Sequence, residues 1–255
     1  MTVVAPRLRL PEHGAEKHPL NNLAFTTPEP SNLNHDPSNF KLQTSNLHVC
    51  NIGYQSYYVS QQDLDYFVDR HYEAYRLGEA KEENLRASEP VIRDSDLLAI
   101  SMDAVKYSDA PAASNSSPNG FDCGEICQIA FFAGLSHRCM SLGIFDMLPQ
   151  NDLHDTTAKL AAQMAWYFVE GVRKRNPDYP TGLAQNFKKY LIYFDQLHLN
   201  LCFFKNIQTE RWWMEVPSIS NEQDSIIISC TQDDYVKASE REIPDRWWKT
   251  YQRIN

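Results

Sequence analysis

Apolar runs and amphipathic stretches alternate over the first 175 residues of this chain. Residues 97–102 form the kind of apolar run that a central parallel strand requires. Further strands are predicted at residues 2–5, 47–52 and 138–147. Apolar positions three or four residues apart predict helices at residues 60–77, 78–86, 122–135 and 155–173. This alternation predicts a three-layer α/β/α fold with a mostly parallel sheet, in which Ser60 and Asp122 serve as N-caps.

From residue 176 the pattern changes to short strands that follow one another directly. A hairpin is predicted to pair residues 190–194 with residues 199–204. Two further strands are predicted at residues 211–216 and 225–229, and two short helices at residues 233–240 and 244–251. We therefore expect an α/β domain at residues 1–175 to be followed by a C-terminal antiparallel and helical extension at residues 176–255.

Tryptophan is concentrated in that extension. Four of the five tryptophans stand in two adjacent pairs, at positions 212–213 and 247–248. We expect them to pack the extension onto the α/β domain. The alternative is a surface on which a ligand or a partner stacks.

A long polar segment, residues 6–46, separates the first two predicted strands. It is rich in Pro, Asn and His, and a loop of that length is unusual inside a compact domain. We interpret it as a lid or as the remnant of a lost element. It contains His13, His18 and His35, which we expect to be solvated, with a replacement metal site as the alternative.

Composition narrows the classes of function. The chain has 255 residues, 42% of them hydrophobic, which is enough for a sizeable core. Its net charge of −9 argues against nucleic acid or an anionic membrane surface as a partner. The chain lacks an apolar stretch of bilayer length and a secretion signal, so we expect its six cysteines to be reduced thiols in a cytoplasmic protein.

The end of the apolar run at residues 97–102 carries the candidate chemistry. A strand that ends in Ser-x-Asp-x-Asp would present two carboxylates on one side, because residues i and i+2 of a strand share a face. Here Asp103 occupies the first position and Val105 the second. A zinc site from Cys123, Cys127, His137 and Cys139 is a weaker alternative, because the spacing of the two helical cysteines is atypical.

Several segments resemble the ureohydrolase superfamily, which includes arginase, agmatinase and formimidoylglutamase. They are similar to a divergent bacterial branch often labelled formimidoylglutamase. The segments, in the family's order, are residues 51–55, 75–79, 103–105, 108–112, 124–130, 140–149, 156–172, 211–217 and 243–249. The resemblance implies a partial arginase-like fold, with the family's first strands and its Gly-Gly-x-His segment lying before residue 1, so that the chain is expected to be an N-terminal truncation.

The resemblance also implies where ligands of two manganese ions would lie. The family's Asp-x-His-x-Asp strand end matches residues 5–9, Ala-Pro-Arg-Leu-Arg, where no ligand is left and Arg7 and Arg9 would repel a metal ion. Its Asp-x-Asp strand end matches Asp103 and Val105, which leaves Asp103 as the single candidate ligand. The family's substrate-binding Glu matches Asp146, which is shorter by one methylene group.

Two functions follow as hypotheses. The first is a non-catalytic homologue without a metal cofactor, which binds a protein partner or assembles as a homo-oligomer. The alternative is an active formimidoylglutamase-like metallohydrolase that cleaves a C–N bond of a linear amidine with manganese. The alternative needs new ligands, and the available donors are His13, His18, His35, Asp109 and His154. Truncation would also expose a sheet edge, which invites self-association.

Overall fold

The computed structural model describes residues 1–8, 48–82, 85–180, 186–194, 199–218 and 225–255. The strands are β1 Thr2–Val4, β2 Cys50–Tyr54, β3 Glu73–Arg76, β4 Leu97–Ser101, β5 Ser141–Phe145, β6 Phe187–Phe194, β7 Leu199–Asn206, β8 Trp212–Val216 and β9 Ile226–Cys230. The helices are α1 Gln61–Asp69, α2 Leu77–Lys81, α3 Glu89–Arg93, α4 Cys123–Leu135, α5 Thr156–Arg173, α6 Gln232–Ser239 and α7 Asp245–Ile254.

The first five strands form one parallel sheet in the order β3-β2-β1-β4-β5. Parallel neighbours require crossover connections, and helix α1 lies between β2 and β3 while α4 lies between β4 and β5. The register pairs Val4 with both Ile52 and Ile100, so β1 and β4 end almost level, while β2 continues two residues further to Tyr54. The predicted α/β class with a mostly parallel sheet is confirmed.

Each face of this sheet has its own apolar cluster. On one face Ile52 and Ile100 belong to the main core, together with buried residues of α4 such as Ile129. On the other face Val3 and Ala99 are buried, and a neighbouring cluster around Phe67 of α1 lies beside them. Helices therefore lie against both faces, as the alternating pattern predicts.

The helix predicted at residues 60–77 is wrong beyond Asp69. The prediction at its start is confirmed, since Ser60 forms a capping box with Asp63. The helix ends after nine residues, His71 takes a left-handed conformation, and β3 then pairs with β2. The pairing with a neighbouring strand, which a local pattern does not reveal, decides that residues 73–76 are extended.

Helices α4 and α5 pack closely through two glycines. A Cβ atom at Gly134 would lie 2.1 Å from the carbonyl oxygen of Phe168, and one at Gly171 would lie 2.5 Å from the carbonyl oxygen of Phe131. The backbones can approach this far because neither glycine has a side chain. The contact fixes α5 beside α4 on the main-core face of the sheet.

The remaining strands form an antiparallel sheet in the order β6-β7-β8-β9. The predicted antiparallel extension is confirmed, and α6 and α7 supply Ala238 and Trp247 to its core. Three of the four paired tryptophans are buried there, Trp212, Trp213 and Trp247, which favours the packing interpretation. The tip of the predicted hairpin lies outside the described residues, and the boundary at residue 176 stays a prediction.

Buried arginines join the antiparallel sheet to the parallel one. Arg93 of α3 donates to the backbone oxygens of Trp212 and Cys230, at 3.2 and 3.3 Å. Its guanidinium also lies 4.5 Å from the ring centre of Trp213.

No helix within the described residues is both long and apolar enough to span a bilayer.

Candidate functional site

The carboxyl ends of β1 and β4 form the edge at which the sequence places the candidate ligands. The two strands are adjacent and parallel, and Val4 is in register with Ile100. Residues 5–8 and 101–105 therefore leave the sheet side by side. In sheets of this class, sites form at the carboxyl ends of neighbouring strands.

Asp103 lies in a short 3-10 helix, Met102–Ala104, directly after β4. Its side chain is only 2% exposed. The backbone N–H of Asn115 donates to Oδ1 at 2.7 Å, and the side-chain amide of Asn115 donates to Oδ2 at 3.1 Å. Both carboxylate oxygens therefore already have partners within the fold.

Val105 occupies the position of the second expected carboxylate, and it belongs to the core. It is fully buried in the main cluster, and its backbone forms an isolated bridge with Phe121. Gly120 lets the two segments approach, since a Cβ there would lie 2.5 Å from the backbone oxygen of Ala104. A hydrocarbon at position 105 supplies no metal ligand and fits the packing around it.

The end of β1 offers apolar residues and one cation. Ala5, Pro6 and Leu8 are buried, whereas Arg7 is exposed. The guanidinium of Arg7 lies 5.3 Å from the ring centre of Tyr58. Arg9 lies outside the described residues. Arg7 thus brings positive charge to the edge where the resemblance would have placed carboxylate and imidazole ligands.

Asp146 follows β5 at the same edge of the sheet. It has a left-handed backbone, with φ of 62°, and its Oδ2 accepts a hydrogen bond from the hydroxyl of Ser101. Its backbone oxygen accepts a hydrogen bond from the N–H of Ser114 at 2.9 Å. Asp146 therefore ties the ends of β4 and β5 together, and its predicted role in substrate binding stays a prediction.

Two contributors to this edge were not predicted from the sequence. Ser101 immediately precedes the candidate ligand segment, and Asn115 lies twelve residues beyond Asp103 in an irregular loop. The Ser-x-Asp pattern was a signal for Ser101. No periodic pattern marks Asn115, because its contribution depends on how the loop returns to the strand end.

The other proposed donors have structural partners or lie elsewhere. Asp109 accepts a hydrogen bond at 2.8 Å from the backbone N–H of Cys123, the first residue of α4. His154 lies in the turn before α5 with φ of 66°, and its backbone oxygen accepts a hydrogen bond from Lys159. His13, His18 and His35 fall outside the described residues.

These residues do not fit a dinuclear manganese centre. Manganese prefers several carboxylate and imidazole ligands, and a pair of ions needs carboxylates that bridge both. The edge offers Asp103 and Asp146, and each is hydrogen-bonded within the fold. Across the part of the chain that the structure describes, no three His, Cys, Asp or Glu side chains converge on a common point.

The cysteine and histidine set considered for zinc is also dispersed. Cys123 is exposed and Cys127 is buried, while the thiol of Cys139 donates to the backbone oxygen of Ser141 at 3.5 Å. Burial raises the pKa of Cys127 to about 11, so its thiol stays protonated at neutral pH. His137 is hydrogen-bonded to the backbone oxygen of Asn176. These contacts favour separate structural roles.

A match to a known family covers β4 and β5 at this edge of the sheet, while β1 lies outside the matched residues. The model of the Arginase family matches residues 35–170, a little over half of the chain. The chain belongs to the arginase family. No curated protein matches this chain.

Two solved structures are similar to this chain. Formiminoglutamase from Trypanosoma cruzi, solved with Mn²⁺, is 18% identical, with a TM-score of 0.51 over 69% of this chain and 57% of that chain. Formimidoylglutamase from Bacillus subtilis is 19% identical, with a TM-score of 0.46 over 50% of this chain and 42% of that chain. The chain thus spans about half the length of the solved structures it matches.

Proposed function

We propose that this chain is a non-catalytic member of the arginase family that acts by binding another molecule or as a structural component. The observation that carries the proposal is the pairing of Asp103 with Asn115, which uses both carboxylate oxygens inside the fold. Val105 removes the second carboxylate of the same strand end. A lone carboxylate that is already satisfied does not hold two divalent ions against water.

The alternative function is hydrolysis of a formimino or guanidino C–N bond with manganese. It requires further ligands, and the residues considered as imidazole donors are His13, His18, His35 and His154. Manganese is the metal to test, because the similar formiminoglutamase from Trypanosoma cruzi was solved with it. A cytoplasmic location is part of either proposal, consistent with six unpaired cysteines.

The test is the metal content of the purified chain after equilibration with manganese and exchange into metal-free buffer. We expect far less than one ion per chain by elemental analysis, and no hydrolysis of formimino or guanidino substrates above the buffer blank. Two tightly held ions per chain would overturn the proposal. In that case Asp103→Ala would be expected to abolish metal binding, and histidine variants in residues 9–47 would identify the replacement ligands.

A further inference from the structure

The dipeptide Asn119-Gly120 occurs once in the sequence, in the loop that runs between the end of β4 and the start of α4. In an asparagine–glycine pair the backbone nitrogen of the glycine can attack the side-chain amide of the asparagine, because glycine has no side chain to obstruct the approach. The Asn119 side chain is exposed, whereas Gly120 is buried. The carbonyl carbon of the side chain is therefore free to move, while the nitrogen that would attack it is held in place.

The Asn119 side chain already lies against that nitrogen. The backbone N–H of Gly120 donates to Oδ1 of Asn119 at 3.1 Å. Since Oδ1 is bonded to Cγ, the carbon to be attacked lies one bond from the atom that the N–H contacts. A reaction between two groups that are held in contact avoids the entropy cost of bringing them together. The fold thus keeps the two atoms of the new bond close to each other.

The carbonyl of the same peptide unit is also hydrogen-bonded. The side-chain amide of the buried Gln55 donates to the backbone oxygen of Asn119 at 3.3 Å. This hydrogen bond polarises the peptide group that joins Asn119 to Gly120, and so makes its N–H more acidic. Because the deprotonated nitrogen is the nucleophile, the contact with Gln55 favours the attack.

We propose that Asn119 is a site of spontaneous covalent modification, at which the folded chain converts asparagine into isoaspartate and aspartate. A hydroxide ion takes the proton of the Gly120 N–H, and the nitrogen forms a bond to Cγ of Asn119. The bond between Cγ and Nδ2 breaks, and Nδ2 leaves as ammonia after it gains a proton from water. Water then opens the cyclic imide. Cleavage between the ring nitrogen and Cγ gives aspartate, and cleavage between the ring nitrogen and the backbone carbon gives isoaspartate.

Isoaspartate lengthens the backbone at a point where the chain is tightly packed. The chain then runs through Cβ and Cγ, which adds one methylene group before Gly120. A Cβ atom at Gly120 would lie 2.5 Å from the backbone oxygen of Ala104 and 2.7 Å from the backbone nitrogen of Lys106. The next residue, Phe121, donates to the Ala104 oxygen at 2.8 Å and accepts from the Lys106 N–H at 3.0 Å. We therefore expect isoaspartate to weaken this pair of hydrogen bonds.

The same loop carries contacts of the candidate site. Its Asn115 donates to both carboxylate oxygens of Asp103, and the N–H of Ser114 donates to the backbone oxygen of Asp146. Conversion at Asn119 would therefore loosen a loop that joins the ends of β4 and β5. The proposal does not depend on whether this edge of the sheet binds metal, because the reaction uses only one peptide unit, one side chain and water.

The first test incubates the full chain at pH 8 and physiological temperature, and follows its peptides by mass spectrometry. An isoaspartyl methyltransferase identifies isoaspartate among the products. We expect Asn119 to convert at least as fast in the native chain as in the chain unfolded in guanidinium chloride. Slower conversion in the native chain would overturn the proposal, because the fold would then protect Asn119.

Two controls show that the conversion depends on this dipeptide. Asn115 is exposed as well, but its side-chain amide donates to Asp103 and a serine follows it, so we expect it to stay unmodified in the native chain. Asn119→Gln keeps the amide but would have to close a larger ring, and we expect no conversion at this position. Conversion of Asn115 at the rate of Asn119 would mean that exposure alone decides it, and would overturn the proposal.

Hydrogen exchange tests the consequence for the loop. Once the isoaspartate form has been separated by ion exchange, we expect the amide hydrogens of Lys106 and Phe121 to exchange faster than in the unmodified chain. Asn119→Asp carries the new charge without the longer backbone, and it is expected to keep the protection of the wild type. Equal protection in the isoaspartate and unmodified forms would contradict the release of the loop.

Discussion

Asn115 donates to both carboxylate oxygens of Asp103, through its backbone N–H at 2.7 Å and its side-chain amide at 3.1 Å. Because Asp103 is buried, this pair fixes the loop that carries Asn115 to the end of β4. Ser101 adds a further link, since its hydroxyl binds Asp146 at the end of β5. The strand ends that hold metal ligands in a metallohydrolase are here joined by hydrogen bonds between side chains and a loop.

Replacing Asp103 by Ala is expected to destabilise the fold. The change removes the two hydrogen bonds that tie the exposed Asn115 to the buried end of β4, each worth roughly 0.5–1.5 kcal/mol. Chemical denaturation with fluorescence detection measures the change in the free energy of unfolding. Asp96→Ala is the matched control, because the Asp96 side chain is 71% exposed and pairs with Arg138 at the surface, where roughly 0–1 kcal/mol is expected. Equal stability of the two variants would contradict the structural role.

The contact between α4 and α5 gives a second prediction, which compares glycines. Gly134→Ala places a methyl group where the backbone oxygen of Phe168 already lies, so α4 and α5 must separate. We expect a loss of about 1–3 kcal/mol from this overpacking. Gly78→Ala is the control, since nothing lies within 4 Å of its Cβ position, and in helix α2 it should be neutral or add about 0.5–1 kcal/mol. Thermal unfolding of both variants tests this explanation. A shift of both melting temperatures in the same direction would contradict it.

The third prediction concerns Asp109 and how its contribution to the stability of the fold depends on pH. Burial acts to raise the pKa of Asp109, but hydrogen bonds from Ser108 and the N–H of Cys123, with the charge of Lys106, outweigh it and lower the pKa below 3.8. A carboxylate with a lowered pKa in the folded state stabilises the fold above the pKa of the unfolded chain, and this stabilisation is lost as the pH falls through the folded pKa. We therefore expect Asp109→Asn to be less stable than wild type at pH 7.

The difference between wild type and Asp109→Asn should shrink as the pH is lowered below 4. Denaturation curves collected from pH 7 to pH 3 measure it. Ser108→Ala removes one of the donors to Asp109 and should produce a smaller difference of the same sign. A gap between the two proteins that stays constant over this range would argue that charge on Asp109 contributes nothing to stability.

The elements that sequence patterns predict well are those with strong local signals. Strand β4 is a continuous apolar run, and Asp122 forms a capping box at the start of α4. Helix α5 repeats apolar residues at intervals of three or four along its 18 residues. Strand β3 was assigned to a helix, because Tyr72 and Tyr75 are three residues apart and fit a helical face. Its extended form depends on pairing with β2, which a local pattern does not encode.

The candidate site also has one part that a local sequence signal predicts and another that depends on contacts between distant residues. The apolar run placed Asp103 at the carboxyl edge of the sheet, but the alternation expected between Asp103 and Val105 is wrong, because Met102–Ala104 forms a 3-10 helix after β4. The partner of Asp103 was not predictable, because Asn115 reaches it through a loop whose path depends on contacts such as the bridge between Val105 and Phe121. The sequence therefore predicted that Asp103 lies at this edge of the sheet, whereas its partner Asn115 became known only from the structure.

Arg246 in α7 is the basis of the last prediction. It is buried, donates to Asp94 at 2.6 Å, and lies 3.7 Å from Glu73 at the start of β3. Burial acts to lower the pKa of Arg246, but the carboxylates of Glu73 and Asp94 outweigh it and raise the pKa. Arg246→Met would leave two acidic groups without their counter-ion, at a cost of about 3–5 kcal/mol.

Thermal unfolding measures this loss, and Arg173→Met is the control because the Arg173 side chain is 76% exposed. Trp247, which is fully buried beside Arg246, provides a local signal: its fluorescence emission should shift to longer wavelength if α7 loosens. Adding Glu73→Gln to Arg246→Met should recover part of the stability, because it removes one of the unpaired buried charges. If the double variant were no more stable than Arg246→Met, the loss would come from packing of the arginine side chain, and charge would not be what holds α7 to the parallel sheet.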